Sequence, residues 1–341
     1  MSYKSAILGC GPRSIHHIRA YDGLKEIELK AVCDRDKERL NACEKKSHIT
    51  SLYKNLEEML EKERPDILHI VTPPTIREEP MELAGHFGVK GIIVEKPIAL
   101  NISQAQRIKA IAEKYQLKVA VNTQRTYFQT CQKLKKALDA GTIGDVYFIR
   151  CVTRGNILSM GPHMMDLLLF YLNYASPRRV WAMASGMNGY DYNHPAPANM
   201  LIQYIFPGQV TVYFEDAENT IGSIGEKEFW QTLELNFWGT KGRAWWTQNR
   251  DWGYQAADKT AAFVEKSRWD EDEPPGQREF TRAMARWLAD DRQIHFNCLA
   301  NALKAFEAIM AAFYAAYVGK PVELPTTIPD DIAGKLEARL K

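Results

Sequence analysis

The sequence predicts an α/β protein built in two parts. A doubly wound parallel sheet comes first, followed by an α+β domain with a large open, mostly antiparallel sheet. In the first part, continuous apolar strands alternate with amphipathic helices, which is typical of parallel βαβ units. In the second part, long strand-like runs follow one another across short turns, which favours antiparallel hairpins. We place the first domain at residues 1–125 and the second at residues 126–341.

Composition and charge exclude several classes of protein. The 341 residues carry a net charge of +2 and no long basic run, which argues against a nucleic-acid partner. The amino terminus lacks the apolar core of a signal peptide, and the longest apolar stretch, Ala300 to Val318, is interrupted by Lys304 and Glu307. We expect a soluble, cytoplasmic protein with no membrane partner. The six cysteines contain no C-x-x-C pair, which disfavours a metal site or a disulfide framework.

The first strand, Ala6 to Leu8, runs into a glycine-rich turn and then an apparent helix. The first two glycines fit a dinucleotide-binding fingerprint, one for the tight turn and one for close approach of the backbone to a pyrophosphate. Ser14 replaces the third glycine and is small enough to keep the helix close to the strand. The predicted cofactor contacts in this turn are Gly9, Gly11, Pro12, Arg13 and Ser14.

The second strand ends in Asp34, about 20 residues further on, where the fingerprint places the acid that binds the adenosine ribose. An acid at this position repels a 2′-phosphate, so the sequence favours NAD over NADP. Arg35 follows directly and could pair with such a phosphate, which leaves NADP as the less favoured cofactor. The alternative role for Asp34 is to cap the helix that begins near Asp36.

Three later strands end in further candidate cofactor residues. They are Thr72 and Pro73 after the strand at residues 66–71, Glu95 and Lys96 in Glu95-Lys96-Pro97, and Gln124 after the strand at residues 118–122. Since ligands bind at the carboxyl edge of an open parallel sheet, Lys96 can donate a hydrogen bond or tune a proton transfer there. The alternative is a solvated lysine at a strand end. The helix after this strand, Ser103 to Tyr115, has Ser103 as its expected cap.

The second domain contributes a buried helix that begins near Pro162. His163 falls in its first turn and Asp166 one turn later on the same face, which suits either a structural or a catalytic histidine. Just past the last strand of the first domain, Arg125 and Tyr127 are expected to face a cleft. Arg125 suits either an anionic group on the substrate or an ion pair at the hinge.

Two features of the second domain concern access and assembly. Gly186 to Asn199 is rich in Gly, Asn, Tyr and Pro and predicts a long loop that can serve as a lid. Large aromatics crowd the later strands, where they suit a sugar-stacking surface or, as we favour, a sheet face buried against another subunit. We therefore expect a homodimer or homotetramer formed through this sheet. Five of the eight tryptophans lie in this region: Trp230, Trp238, Trp245, Trp246 and Trp252.

Together these motifs resemble the Gfo/Idh/MocA family of NAD(P)-dependent oxidoreductases over almost the whole chain. The matching features are Gly9-x-Gly11, Asp34, Thr72-Pro73, Glu95-Lys96-Pro97, Gly161-x-His163-x-x-Asp166, Phe237-Trp238-Gly239-Thr240-Lys241-Gly242 and Gly319-Lys320-Pro321-Val322. The resemblance implies a Rossmann domain, an NAD(P) cofactor, and oxidation of a secondary hydroxyl of a sugar, cyclitol or sugar derivative. It also implies that Lys96 contacts substrate and nicotinamide ribose, and that His163 is the acid/base.

The sequence departs from the family pattern at two positions. Ser159 stands where these dehydrogenases often carry an aspartate that orients the histidine, and Arg77 stands where a histidine often follows the Thr-Pro turn. We expect Ser159, like Asp166, to lie near the substrate. Two other functions remain open: a glycosidase that uses NAD for transient oxidation and elimination, and a non-catalytic regulator that binds nucleotide.

Overall fold

The computed structural model describes residues 2–47, 49–187, 196–218 and 228–341. The chain forms two compact units, each made of two stretches of sequence. The first unit is Met1–Tyr127 with Glu273–Leu303, and the second is Phe128–Asp272 with Lys304–Lys341. The first unit therefore includes a distant carboxyl-terminal segment in addition to the residues that the sequence assigns to the first domain.

The first unit contains a parallel sheet of six strands in the order β3-β2-β1-β4-β5-β6, which confirms the predicted parallel sheet. Its strands are β1 (Tyr3–Leu8), β2 (Ile27–Cys33), β3 (Ser51–Tyr53), β4 (Ile67–Ile70), β5 (Gly91–Glu95) and β6 (Lys118–Asn122). Its first five helices are α1 (Ser14–Arg19), α2 (Lys37–Ser47), α3 (Leu56–Glu63), α4 (Glu78–His86) and α5 (Ile102–Lys114). The strand order reverses between β1 and β4, and the carboxyl ends of strands at such a switch point are where ligands bind in this architecture.

Local sequence explains where two of these helices begin. The side chain of Asn55 caps α3 by accepting a hydrogen bond from the Glu58 backbone N–H. In α5 the cap is Asn101, whose Oδ1 accepts from the backbone N–H of Gln104 at 2.8 Å. The prediction that Ser103 caps this helix is wrong, because Asn and Ser are about equally good caps and the spacing alone does not choose between them.

The carboxyl-terminal segment of the first unit packs on its sheet. Phe280 and Met284 form a buried cluster with Ile67, Ile93 and Ala120, which lie on β4, β5 and β6. These two side chains belong to α8 (Trp269–Ala289). Residues nearly two hundred positions apart in the sequence thus share one core, and burial of their apolar surface stabilises the unit.

The second unit contains a sheet of nine strands in the order β14-β13-β12-β11-β7-β10-β9-β8-β15. Its strands are β7 (Val146–Arg154), β8 (Arg179–Ser185), β9 (Asn199–Ile205), β10 (Thr211–Ala217), β11 (Leu233–Gly239), β12 (Gly242–Thr247), β13 (Asp251–Ala256), β14 (Phe263–Lys266) and β15 (Val322–Glu323). All neighbours are antiparallel except β7 and β10, which confirms the predicted mostly antiparallel sheet. The remaining helices are α6 (Gln129–Asp139), α7 (Gly161–Tyr171), α9 (Leu299–Val318) and α10 (Ile332–Leu340).

The tryptophans of this sheet do not all share one face. Side chains alternate along a strand, so Trp245 and Trp246 of β12 point to opposite sides. Trp246 is fully buried, and its Nε1 donates to Thr130 Oγ1 on α6 at 3.0 Å. The expectation of one aromatic face is wrong in this respect. Exposed apolar side chains instead include Leu201 and Met183, which are direct partners on β9 and β8.

Two expectations concern single segments of the second half of the chain. The lid proposed at residues 186–199 lies largely outside the described residues, which omit 188–195. Among the described residues, α9 is long and apolar enough to cross a membrane by length and composition, and 61% of its most apolar window is buried in the structure. Core helices of soluble proteins pass the same test, so this helix is weak support for a membrane span.

Candidate functional site

The glycine turn after β1 has the geometry that a dinucleotide needs. Gly9 has φ +100°, and a Cβ at this position would lie 2.2 Å from the carbonyl oxygen of Val71, so only glycine fits. A Cβ built on Gly11 would meet nothing within 4 Å, so its backbone is open to a ligand. Ser14 is buried and its hydroxyl donates to the Gly11 carbonyl at 2.7 Å. The residue that replaces the third glycine therefore closes the turn itself.

Asp34 holds this turn against the end of β2. One carboxylate oxygen accepts the backbone N–H of Cys10 at 2.8 Å, and the other accepts the backbone N–H of Asp36 at 2.9 Å. Each oxygen keeps a further lone pair for a ribose hydroxyl. The capping role that the sequence left open for Asp34 falls to Asp36, whose carboxylate accepts the N–H of Glu38 at 2.8 Å. Arg35 is exposed.

Arg77 ties together two strand ends at the carboxyl edge of the sheet. Its guanidinium is buried, and its nitrogens donate to the Thr72 carbonyl at 2.7 Å and to the Glu95 carbonyl at 2.8 Å. Burial lowers the pKa of Arg77 to about 10, so it stays cationic at neutral pH. Thr72 also donates from its hydroxyl to the Ile76 carbonyl, whereas Pro73 is exposed. The unusual arginine thus shapes the backbone on either side of the candidate site.

Three donor side chains meet at one carboxylate oxygen of Glu95 at this edge. Its Oε1 accepts from Arg13 Nε at 3.1 Å, His17 Nε2 at 2.8 Å and Asn122 Nδ2 at 2.7 Å. Burial works to raise the pKa of Glu95. The charge of Arg13 and the hydrogen bonds from His17 and Asn122 outweigh it, and hold the pKa well below its usual range. A buried carboxylate therefore stands directly before Lys96, which is partly exposed at the end of β5.

The 3-10 turn at Gln124–Tyr127 contains three residues that the sequence predicts to contact cofactor or substrate. Gln124 is fully buried, and neither its amide oxygen nor its nitrogen has a hydrogen-bond partner among the described residues. Arg125 is buried as well. Tyr127 packs edge-on against Phe280, and its hydroxyl accepts the backbone N–H of Phe296 at 3.3 Å. Of the three, Gln124 has the unused polar atoms that a ligand can satisfy.

In the second unit, His163 lies in the first turn of α7, as the sequence predicts. Pro162 is the second residue of the helix, and the His163 backbone N–H donates to the Met160 carbonyl at 3.1 Å. His163, Ser159 and Asp166 are all buried. The turn before the helix is fixed by Asn156, whose carbonyl accepts the backbone N–H of Ser159 at 2.8 Å.

A second buried carboxyl in this unit was missed by the sequence reasoning. Asp216 on β10 accepts a hydrogen bond from the hydroxyl of Thr153, its direct partner on β7. Its other oxygen has no hydrogen-bond partner among the described residues, and burial raises the pKa of Asp216 to about 7. The available signal was an acid at an inward position of a strand whose inward neighbours, Val212 and Phe214, are apolar.

Three other polar residues that the sequence reasoning passed over are His17, His69 and Asn122. All three are buried, and all belong to the bonded set around Glu95. The signal for His69 was its place inside an otherwise apolar strand, where a polar side chain needs a partner. Within the described part of the chain, no group of three or more His, Cys, Asp or Glu side chains is arranged to hold a metal ion.

The residues at the carboxyl edge of the first sheet fit a dinucleotide. The open backbone at Gly11 can approach a pyrophosphate, the fixed carboxylate of Asp34 can bind a ribose, and the unpaired amide of Gln124 can bind a carboxamide. These features define the first unit as a Rossmann domain of the NAD-binding class.

Comparison with known proteins agrees with this class. Residues 3–123 match the model of the oxidoreductase family with an NAD-binding Rossmann fold, GFO_IDH_MocA. The match lies in the amino-terminal part of the chain, and there it supports the resemblance to the Gfo/Idh/MocA oxidoreductases. The cofactor prediction is confirmed at the level of that family, which binds NAD.

Individual relatives cover different amounts of the chain. D-apiose dehydrogenase of Paraburkholderia graminis is 30% identical over 164 residues, 48% of this chain and 44% of that protein. Myo-inositol 2-dehydrogenase of Thermotoga maritima is 24% identical over 148 residues, 43% of this chain and 44% of that protein. The matched region thus spans less than half the length of either relative.

The solved structures extend the likeness in fold to nearly the whole chain. An oxidoreductase from Agrobacterium radiobacter, in complex with NAD+, L-tartaric acid and magnesium, superposes with a TM-score of 0.83. The alignment covers 95% of this chain and 98% of that one at 19% sequence identity. At this identity the likeness shows a common fold, and it confirms the predicted fold class.

Proposed function

We propose that the protein is an NAD-dependent dehydrogenase that transfers a hydride between NAD and a secondary hydroxyl of a sugar, cyclitol or sugar derivative. The observation that carries this proposal is the partly exposed Lys96, at the end of β5 in a domain of an NAD-binding oxidoreductase family. The named relatives, which act on D-apiose and myo-inositol, support the substrate class.

The proposed mechanism assigns one task to each side chain. A bound NAD would supply the acceptor for the hydride that leaves the carbinol carbon. His163 takes the hydroxyl proton as general base, and Lys96 stabilises the negative charge that develops on the same oxygen. Arg125, Tyr127, Ser159 and Asp166 complete the proposed substrate contacts. Ser159 can orient His163 by a hydrogen bond but supplies no negative charge. Asp166 is the acid nearest to His163 in the sequence, and we assign to it the support of a positive charge on His163.

Cofactor binding is assigned to the first unit. Gly9, Gly11, Pro12, Arg13 and Ser14 hold the pyrophosphate, Asp34 the ribose, and Thr72, Pro73, Glu95, Lys96 and Gln124 surround the nicotinamide end. Because the carboxylate of Asp34 repels a 2′-phosphate, NAD is the preferred form. Arg35 is exposed and is the one residue here that would favour NADP.

Assembly and location are part of the proposal. Exposed apolar side chains on neighbouring strands β8, β9 and β10, namely Met183, Leu201 and Tyr213, suit a homodimer or homotetramer formed through this sheet. Leu201→Glu should then lower the molecular mass measured by light scattering to that of a monomer. We place the protein in the cytoplasm, without a nucleic-acid or membrane partner.

The test is a screen of sugars, cyclitols and sugar acids with NAD, followed at the NADH absorbance band. Lys96→Ala and His163→Ala should each lower turnover by about 1,000-fold while NAD binding persists. Lys90→Ala is the matched control, since Lys90 lies just before the amino end of the same strand and pairs with Asp66 at 2.9 Å.

Three results would overturn the proposal. Full activity in both Lys96→Ala and His163→Ala would remove their assigned tasks. Bound NAD without any turnover would favour a regulator, and sugar release from glycosides without net NADH would favour a glycosidase.

A further inference from the structure

A chain of buried hydrogen bonds runs through the first unit to Glu95. Ser5 bonds to the hydroxyl of Tyr21, which lies 2.7 Å from His69 Nε2. His69 Nδ1 lies 2.9 Å from His17 Nδ1, and His17 Nε2 lies 2.8 Å from Glu95 Oε1. The mechanism proposed above uses none of the first four residues.

The charge states of these groups give the chain one direction. Burial lowers the pKa of His17 below 6.5 despite the nearby carboxylate, and it lowers the pKa of His69 well below 6.5. Both imidazoles are therefore neutral at pH 7, with one N–H each. Because Glu95 is an acceptor, His17 carries its proton on Nε2 and accepts at Nδ1. His69 must then donate from Nδ1 and accept at Nε2, where Tyr21 donates.

All the hydrogen bonds in this chain point the same way, so each one is polarised toward Oε1 of Glu95. Hydrogen bonds aligned in this way strengthen one another in a low-dielectric interior. The last donor, His17, is neutral, so it donates a hydrogen bond to Glu95 without bringing a positive charge to it. Two cations act on the carboxylate of Glu95: Arg13, whose Nε lies 3.1 Å from Oε1 and whose side chain is 32% exposed, and the buried Arg77. The neutral hydrogen-bond chain itself stabilises the negative charge of Glu95 without adding a positive charge.

We propose that His17 and His69 are positioning residues that hold the negative charge of Glu95 toward the nicotinamide, where it favours the oxidised, cationic ring over the reduced, neutral one. The proposal rests on the proposed function, because it places the nicotinamide beside Glu95 and Lys96. A unit charge within a few ångströms of the ring, only partly screened, changes the relative affinity of the two forms by about tenfold.

The experiment measures the dissociation constants of NAD+ and NADH for the purified full-length protein by fluorescence titration. In His17→Leu the ratio of NAD+ to NADH affinity should fall by about tenfold, and His17→Gln, which can still donate to Glu95, should restore most of it. His69→Leu should shift the ratio in the same direction by less. The matched control is His295→Leu, since His295 is a buried neutral histidine of the same unit that bonds to the Phe280 carbonyl and not to Glu95.

A second readout is independent of the cofactor. The ¹⁵N shifts of the ring nitrogens should show a protonated Nε2 in His17 and a protonated Nδ1 in His69. The opposite tautomers would overturn the proposal, as would an unchanged affinity ratio in folded His17→Leu or an equal change in His295→Leu. If His17→Leu does not fold, His69→Leu and Glu95→Gln carry the same test.

The outcomes also separate this inference from the proposed reaction. Binding of both nucleotides with the expected shift, but without turnover of any sugar, would support the positioning role and overturn the dehydrogenase. Failure to bind either nucleotide would overturn both. Turnover with an unchanged ratio in every variant would overturn the positioning role alone.

Discussion

Glu95 and Asp216 are both buried carboxyls at the carboxyl end of a strand, yet their pKa values move in opposite directions. Burial opposes the charge of each one. Glu95 has a cation and two further donors on one oxygen and stays ionised, whereas the described structure offers Asp216 one threonine hydroxyl. The number and charge of the donors decide the state of a buried acid, and burial alone does not.

The largest difference between the two acids should appear when each is removed. Glu95→Leu leaves the buried donors of His17 and Asn122 without their acceptor and should lower the free energy of unfolding by about 3–5 kcal/mol. Asp216→Leu removes an acid whose burial is barely compensated, and should cost about 1 kcal/mol or less. Urea unfolding at pH 7 measures both, and equal losses would contradict the comparison.

The second difference is in how stability responds to pH. The pKa of Asp216 is raised from 3.8 to about 7, so between these values the folded state binds a proton that the unfolded state has lost. Its contribution is full below about pH 4 and is lost as the pH rises through about 7, at up to about 1.4 kcal/mol per pH unit. Asp216→Asn should remove this decline in urea unfolding curves measured across that range. A decline that persists in the variant would assign it to other groups.

Buried histidines in the first unit should produce an effect of similar size and of the opposite sign. The pKa of His295 is lowered by burial from 6.5 to about 3, so its contribution is present above about 6.5 and is lost as the pH falls toward 3. Over the shared range it offsets the slope from Asp216. The fall in the free energy of unfolding on acidification should therefore be clearest in Asp216→Asn. Adding His295→Gln to that variant should make the fall shallower. If stability falls as steeply with acidification in the Asp216→Asn, His295→Gln double variant as in Asp216→Asn alone, the assignment to His295 is wrong.

The smallest expected effect comes from the single donor to Asp216. Thr153→Val keeps the shape of the strand and removes the hydroxyl, which should cost about 1 kcal/mol. It should also raise the pKa of Asp216 further, because the lost hydrogen bond favours the ionised form. The upper end of the stability decline should then move to higher pH in the unfolding curves, and a shift to lower pH would contradict this account.

The sequence predicted the first sheet well because its signals are local. Continuous apolar strands, the glycine turn and Asp34 each follow from a few neighbouring residues, and the structure places them as the spacing requires. The three-residue β3 gave no such signal. Cap positions also escaped, as at Asn101, because two good capping residues stood two positions apart.

The partners of buried polar side chains could not be predicted, since they come from distant parts of the chain. His17 and Glu95 are 78 residues apart, and Asn122 and Gln277 are 155 apart. No local pattern joins such pairs, although a histidine in an apolar strand or an acid at an inward strand position shows that a partner is needed. The tryptophans illustrate a different limit, because strand alternation separates Trp245 from Trp246 even though they are adjacent in sequence.

The discontinuous makeup of the first unit has a consequence for its synthesis. Phe280 and Met284, which complete the core over β4 and β5, leave the ribosome about 160 residues after the last strand of that sheet. Until then Ile67 and Ile93 lack their final covering, so the nascent sheet exposes apolar surface while the second unit is being made. A chain released early, for example at residue 127, should need a chaperone to stay in solution, although it contains all six strands of the parallel sheet.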